Sequence, residues 1–165
     1  GSFRFSNTTA LTHEIAAKLR SIGVNARKIY QEVYENNSRN KIALMAKALD
    51  NLNYECNGKL AWFSITQKMF EEAGAEKWDT EGFPEIPRTI EGVEVSLMFT
   101  ELDREKVKVS FRSKGNIVIN EVARKFGGGG HNFAAGAVVN KTLTITTRAI
   151  LEELIKVVNS HELKI

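Results

Sequence analysis

The sequence predicts an α+β fold: a helical N-terminal segment and a connector helix, then a mixed, mostly antiparallel sheet with helices packed on it. Three observations lead there. Apolar residues first recur at helical spacing, as in Leu11, Ile15, Leu19 and Ile22, then Ile29, Tyr30, Val33 and Tyr34, then Ile42, Met45, Ala48 and Leu49. The period then switches to two, with Val93, Val95, Leu97 and Phe99 followed after a turn by Val107, Val109 and Phe111. Finally, hairpin signals alternate with helical stretches to the end of the chain, the pattern of helices layered on a sheet.

Taken in order, Asn7 or Thr8 is placed to cap the first helix, and Gly23 to close it. Asn25 opens the second helix, and Asn36-Asn37-Ser38 breaks it. The third runs to Leu52. Tyr54 and Cys56 then lead into Asn57-Gly58, a hairpin signal, and a strand over 60–65. A short helix over 68–73 ends at Gly74. Residues 75–92 carry both prolines, Pro84 and Pro87, with Trp78, and read as a connection with one helical turn near Ile86 to Thr89. Asp103-Arg104-Glu105 turns the hairpin that follows. Near Asn116 a helix is predicted with Val118, Val122, Ala123 and Phe126 inward, then a glycine run, then a strand through 137–139. Thr146 or Thr147 is the expected cap of a last helix bearing Ile150, Leu151, Leu154, Ile155 and Val158.

Composition narrows the function classes. The 165 residues are 42% hydrophobic and 26% charged, ordinary values for a globular domain. No apolar run reaches membrane-spanning length and no secretory signal is visible, so a cytoplasmic setting without membrane contact is expected. The single cysteine, Cys56, excludes an internal disulfide and a cysteine-based zinc site. The histidines (13, 131, 161) and aspartates (50, 79, 103) are scattered, with no pair at metal-ligand spacing. A net charge of +3 allows a polyanionic partner without requiring one.

The informative stretch is Phe126-Gly127-Gly128-Gly129-Gly130-His131-Asn132-Phe133-Ala134-Ala135-Gly136. Four consecutive glycines weaken any fold that does not use them. Apolar residues on both sides argue against a flexible linker. Successive peptide N–H groups in such a run can form a concave anion site, with His131 as an added donor. It lacks the Lys-Ser/Thr ending of a P-loop and does not follow a strand as a dinucleotide fingerprint does. Its neighbour in the sequence is the strand ending Ser110-Phe111-Arg112-Ser113. Arg112 offers a planar fork for a phosphate, and Ser110 and Ser113 add hydroxyl donors. Arg112, Ser113, the amides of Gly128, Gly129 and Gly130, and His131 are thus expected to hold an anionic group.

Phe111-Arg112-Ser113, then a helix, then Gly-Gly-Gly-His with Ala-Ala-Gly resembles the substrate-binding domain of DHH phosphoesterases. The similarity is greatest to oligoribonucleases that also dephosphorylate phosphoadenosine phosphate. Residues 1–9, Tyr30 to Asn36, Trp62 and Ile90 to Val95 extend the resemblance over nearly the whole chain. It implies that 1–38 is the end of a catalytic domain, 39–52 a connector helix and 53–165 the substrate-binding domain. It also implies an enzyme using two manganese ions held by an Asp-His-His domain, acting on short RNA, a dinucleotide or phosphoadenosine phosphate, and forming a homodimer. Arg112, Ser113, Gly129, Gly130 and His131 match the family's substrate-binding motifs, and Arg4 matches an arginine approaching from the catalytic side. The metal-binding motifs are absent from this chain, so it is expected to bind no metal and to be inactive alone, with the missing N-terminal domain as its partner. The alternatives are a non-catalytic module binding single-stranded nucleic acid or a nucleotide, for which similar domains ending alanyl-tRNA synthetases offer precedent, and a structural dimerisation domain.

Overall fold

A computed structural model describes Phe3 and residues 7–162, and in it the chain forms two units, 1–37 and 38–165. The first holds α1 (Ala10–Ser21) and α2 (Ala26–Tyr34), neither of which contains a buried residue. Thr9, rather than Asn7 or Thr8, is the cap of α1, its N–H donating to Thr12 Oγ1 at 3.1 Å. Asn25 caps α2 as expected, accepting from the Lys28 N–H at 3.0 Å. The apolar stripes seen in the sequence, including Leu11, Ile15, Val33 and Tyr34, remain exposed.

The second unit is built on one sheet. Its strands are β1 (Asn53–Glu55), β2 (Leu60–Ile65), β3 (Val95–Asp103), β4 (Lys106–Ser113), β5 (Gly129–His131) and β6 (Ala134–Val139). Their spatial order is β1-β2-β3-β4-β6-β5. Only β2 and β3 run parallel; every other pairing is antiparallel, so the mixed, mostly antiparallel sheet is observed. Antiparallel neighbours need only tight turns: Glu105 N–H donates to Asp103 Oδ1 between β3 and β4 at 2.9 Å. The parallel pair requires a longer crossover, and residues 66–94 provide it.

Directly paired residues project to the same face, so the register sorts the strands into two surfaces. One face carries Leu60, Val95, Leu97, Phe99, Val107, Val109, Phe111, Ala135 and Ala137, all buried under α5 (Asn120–Lys125) and α6 (Leu143–Glu162). Side chains buried this completely stabilise the fold by about 1.5–3 kcal/mol each for Val, Leu or Phe. The opposite face carries Phe63, Ile65 and Met98, which pack with Leu44 and Ala48 of α3 (Arg39–Asp50) and with Phe83 into a second cluster. α3, expected as a connector, is therefore part of the second unit's core. The crossover holds α4 (Gln67–Ala73), closed by Gly74 at φ +60° as predicted, and three 3-10 turns at Lys77–Thr80, Phe83–Glu85 and Pro87–Thr89 where one had been expected.

Two further expectations are corrected. Val118 points outward at 39% exposure, because 117–119 is not helical and Ile117 and Ile119 turn inward instead. The last helix starts four or five residues earlier than a Thr146 or Thr147 cap requires: Thr142 precedes it, its carbonyl accepting from the Thr146 N–H at 3.0 Å, and Thr146 is buried within the first turn. Among the described residues no helix is long and apolar enough to cross a membrane.

Candidate functional site

The second cluster covers only the β2–β3 half of its face. Along β6 and β5 that face is partly exposed, whereas on β4 Ser110 is buried and Arg112 is held against Glu85 of the crossover; the register decides what stands on it. Arg112 pairs with Ala134 and Ala134 with His131, so Arg112 and His131 lie in one row on one face, two strand spacings or about 10 Å apart at Cα. The next row holds Ser110, Gly136 and Gly129, and the one after it Lys108 and Val138. Ser113 is odd in this count. It faces the other side, 1% exposed, and its Oγ accepts from the Gly115 N–H at 3.3 Å.

The glycine run divides into separate roles. Gly127 and Gly128 end α5 in a Schellman motif: Gly127 N–H donates to Arg124 O at 3.0 Å, Gly128 N–H to Ala123 O at 2.9 Å, and Gly127 sits at φ +75°. Their amides are therefore bonded within the fold rather than turned to a ligand. Gly128 and Gly130 are packed against β6: a Cβ at Gly128 would stand 2.1 Å from Gly136 O, and one at Gly130 2.5 Å from Ala134 O. Gly129 alone has an ordinary φ and open space where a Cβ would be, on the row of Ser110. His131, the last residue of this edge strand, is exposed, and the turn after it is fixed by Ile119 N–H donating to Asn132 O at 2.8 Å. Arg4 lies outside the described residues.

Beside β4 the crossover rises into a wall, and between the two is a cleft of about 300 Å³. Arg112, Ser110, Lys108, Trp78 and Glu85 are among its lining residues. Arg112 Nε–H donates to Glu85 Oε1 and its Nη1 donates to Phe111 O at 2.9 Å. Glu85 also binds Arg88 at 2.8 Å, and Arg88 donates to Ser113 O at 2.9 Å. The sequence reading missed Glu85 and Trp78 as parts of this cleft, since both come from the irregular crossover. Among the described residues no three His, Cys, Asp or Glu side chains converge to hold a metal ion. The arrangement sets a guanidinium and a hydroxyl side by side on one face of β4, with Glu85 fixing the guanidinium.

Known proteins resemble this chain over most of its length. A family model for the DHHA1 domain matches residues 57–160. The bifunctional oligoribonuclease and PAP phosphatase NrnA of Thermus thermophilus is 36% identical over 139 residues, covering 84% of this chain and 41% of that protein. NrnA of Bacillus subtilis is 32% identical over 139 residues, again 84% of this chain and 43% of the relative. The chain thus spans about two fifths of the length of these curated relatives. The crystal structure of an exopolyphosphatase-related protein from Bacteroides fragilis superposes with a TM-score of 0.85 at 30% identity, covering 93% of this chain and 45% of that one.

Proposed function

The chain belongs to the DHHA1 domain family, and from that premise we propose that it is the substrate-holding part of a phosphoesterase acting on very short RNAs or phosphoadenosine phosphate. The observation that carries this reading is the face shared by β4, β6 and β5, where one row aligns Arg112 with His131 and the next aligns Ser110 with Gly129. In this reading the Arg112 guanidinium takes a phosphate oxygen pair, Ser110 donates its hydroxyl, and His131 holds the far end of the ligand. The absent side chain at Gly129 leaves the ligand room against the backbone.

Hydrolysis is a separate matter. Manganese, which the family resemblance implies, supplies water activation and charge neutralisation when bound. The described residues do not fit such an ion, having no converging ligand set. The division proposed is that this chain binds and orients substrate while a metal-bearing domain of the same enzyme cuts; the greater length of the relatives supports it. The resemblance also implies a homodimer, which sedimentation of the chain tests.

Binding of a phosphorylated dinucleotide, measured by calorimetry for the chain and for Arg112→Ala and His131→Ala, tests the site. Both substitutions are expected to weaken it, and unchanged affinity in both removes the site. Dinucleotide cleavage at enzyme-like rates by the 165-residue chain with manganese would overturn the division of labour.

A further inference from the structure

We propose that Trp78 is a base-stacking platform in the cleft it shares with Arg112, so that the cleft selects a nucleotide over a phosphate compound lacking an aromatic base. This deepens the reading above and rests on it, since it takes Arg112 as the phosphate holder.

Trp78 is 74% exposed, the largest fraction among the aromatic side chains of the described residues. Tryptophan is highly buried on average, so an indole standing this far out calls for a use. The exposure does not come from a loose chain. Asp79 fastens the turn that presents it: one carboxylate oxygen accepts from the Glu76 N–H at 2.9 Å and the other from Ser38 Oγ at 3.3 Å. Ser38 is itself the cap of α3, so the turn is tied to a helix end. Thr80 Oγ1 closes it from the other side, donating to Lys77 O at 2.8 Å. The turn carrying Trp78 is thus fixed, and Trp78 lines the same cleft as Arg112 and Ser110.

Charge and size agree with that ligand. Lys77, Lys108 and Arg112 line the cleft against Glu81 and Glu85, and Glu85 is already paired with two arginines. The volume of about 300 Å³ lies at the small end of the range for ligand sites, room for one nucleotide unit. Stacking on an indole uses the π-face that every base has, so the platform tolerates any base and reads none. That suits an enzyme part that meets short RNA of any sequence.

The test compares two ligands differing only by the base, adenosine monophosphate and ribose 5-phosphate, titrated calorimetrically into the 165-residue chain. Trp78→Ala is expected to weaken the nucleotide about 10-fold and to leave ribose 5-phosphate unchanged, while Trp78→Phe keeps most of the affinity. Arg112→Ala is expected to weaken both ligands. If Trp78→Ala leaves the nucleotide unaffected while Arg112→Ala weakens both, the platform is overturned and the phosphate site stands. Loss from neither substitution overturns the phosphate site as well. Equal loss of both ligands on Trp78→Ala means the indole only shapes the cleft, which also overturns the proposal. So does an unsubstituted chain that binds the two ligands equally, a result that needs no variant to fold.

Discussion

Arg112 donates its Nε–H to Glu85 Oε1 at 2.5 Å, and the same carboxylate takes Arg88 through Oε2 at 2.8 Å. One anion between two cations leaves a net positive cluster. Because Arg112 Nη1 is also bonded to its neighbour's carbonyl, the plane of its guanidinium is set before any ligand arrives. Such preorganisation reduces the ordering cost of binding.

Removing the arginine should therefore be costly. Arg112→Ala is expected to lose about 1.5–3 kcal/mol of affinity for a phosphorylated mononucleotide, the range for hydrogen bonds to charged groups. The deficit should shrink as ionic strength rises, because the lost interaction is largely one of charge. Calorimetric titration at two salt concentrations measures both effects.

Glu85 has an opposite signature. Glu85→Gln keeps an acceptor for Arg112 while deleting a negative charge from the cleft, and should tighten binding of inorganic phosphate several-fold at low salt. Glu85→Ala also removes the acceptor, so its gain should be smaller because Arg112 is no longer oriented. Equal affinities for the two variants would show that the carboxylate does not position the arginine.

Substitutions along the glycine run should separate folding from binding. Gly128→Ala and Gly130→Ala push a methyl group into backbone at 2.1 Å and 2.5 Å. Each should destabilise the fold by about 1–3 kcal/mol or more, read from urea denaturation. Gly129→Ala meets no atom within 4 Å and should melt like the parent chain. A bulkier Gly129→Val should keep the fold but impair nucleotide binding, since its side chain would stand on the row of Ser110.

Stability at acid pH should depend on the tie between α5 and α6. Lys125 and Lys156 each hydrogen-bond Glu153 at 2.6 Å and hold its carboxyl down at about 2 from an ordinary 4.5. A carboxyl depressed in the folded state favours folding above its ordinary value, and that contribution is lost as pH falls from 4.5 toward 2. Glu153→Gln should flatten the melting temperature over that interval. High salt should do the same to the parent chain, because the pairs are near the surface.

The sequence revealed most where one face of a strand is buried and the other is not. Val107, Val109 and Phe111 alternate with Lys108 and Ser110 because one face of the strand enters the larger core, and Val95, Leu97 and Phe99 join the same core. The intervening Ser96 and Met98 are buried too, on the opposite face under the crossover. β5 was hidden because Gly129 and Gly130 have no side chains with which to show a period; backbone pairing at a sheet edge leaves no apolar trace. Ser113 could have been set apart from Arg112, since consecutive strand residues face opposite ways. Glu85 and Trp78 could not be assigned to the cleft by such reasoning. They reach it from 3-10 turns whose path is set by packing of Phe83 beneath them and by the Ser96 hydroxyl donating to Pro84 O at 2.9 Å.

The parallel pairing of β2 with β3 has an evolutionary consequence. It obliges residues 66–94 to travel the length of the sheet before β3 can begin, and they do so across the face that bears Arg112. The sheet acts as a floor locked by strand pairing, and the crossover acts as a roof. Loops of this kind accept insertions and replacements far more readily than the strands that they join. Descendants of this fold can therefore exchange the roof while the floor keeps its strand register.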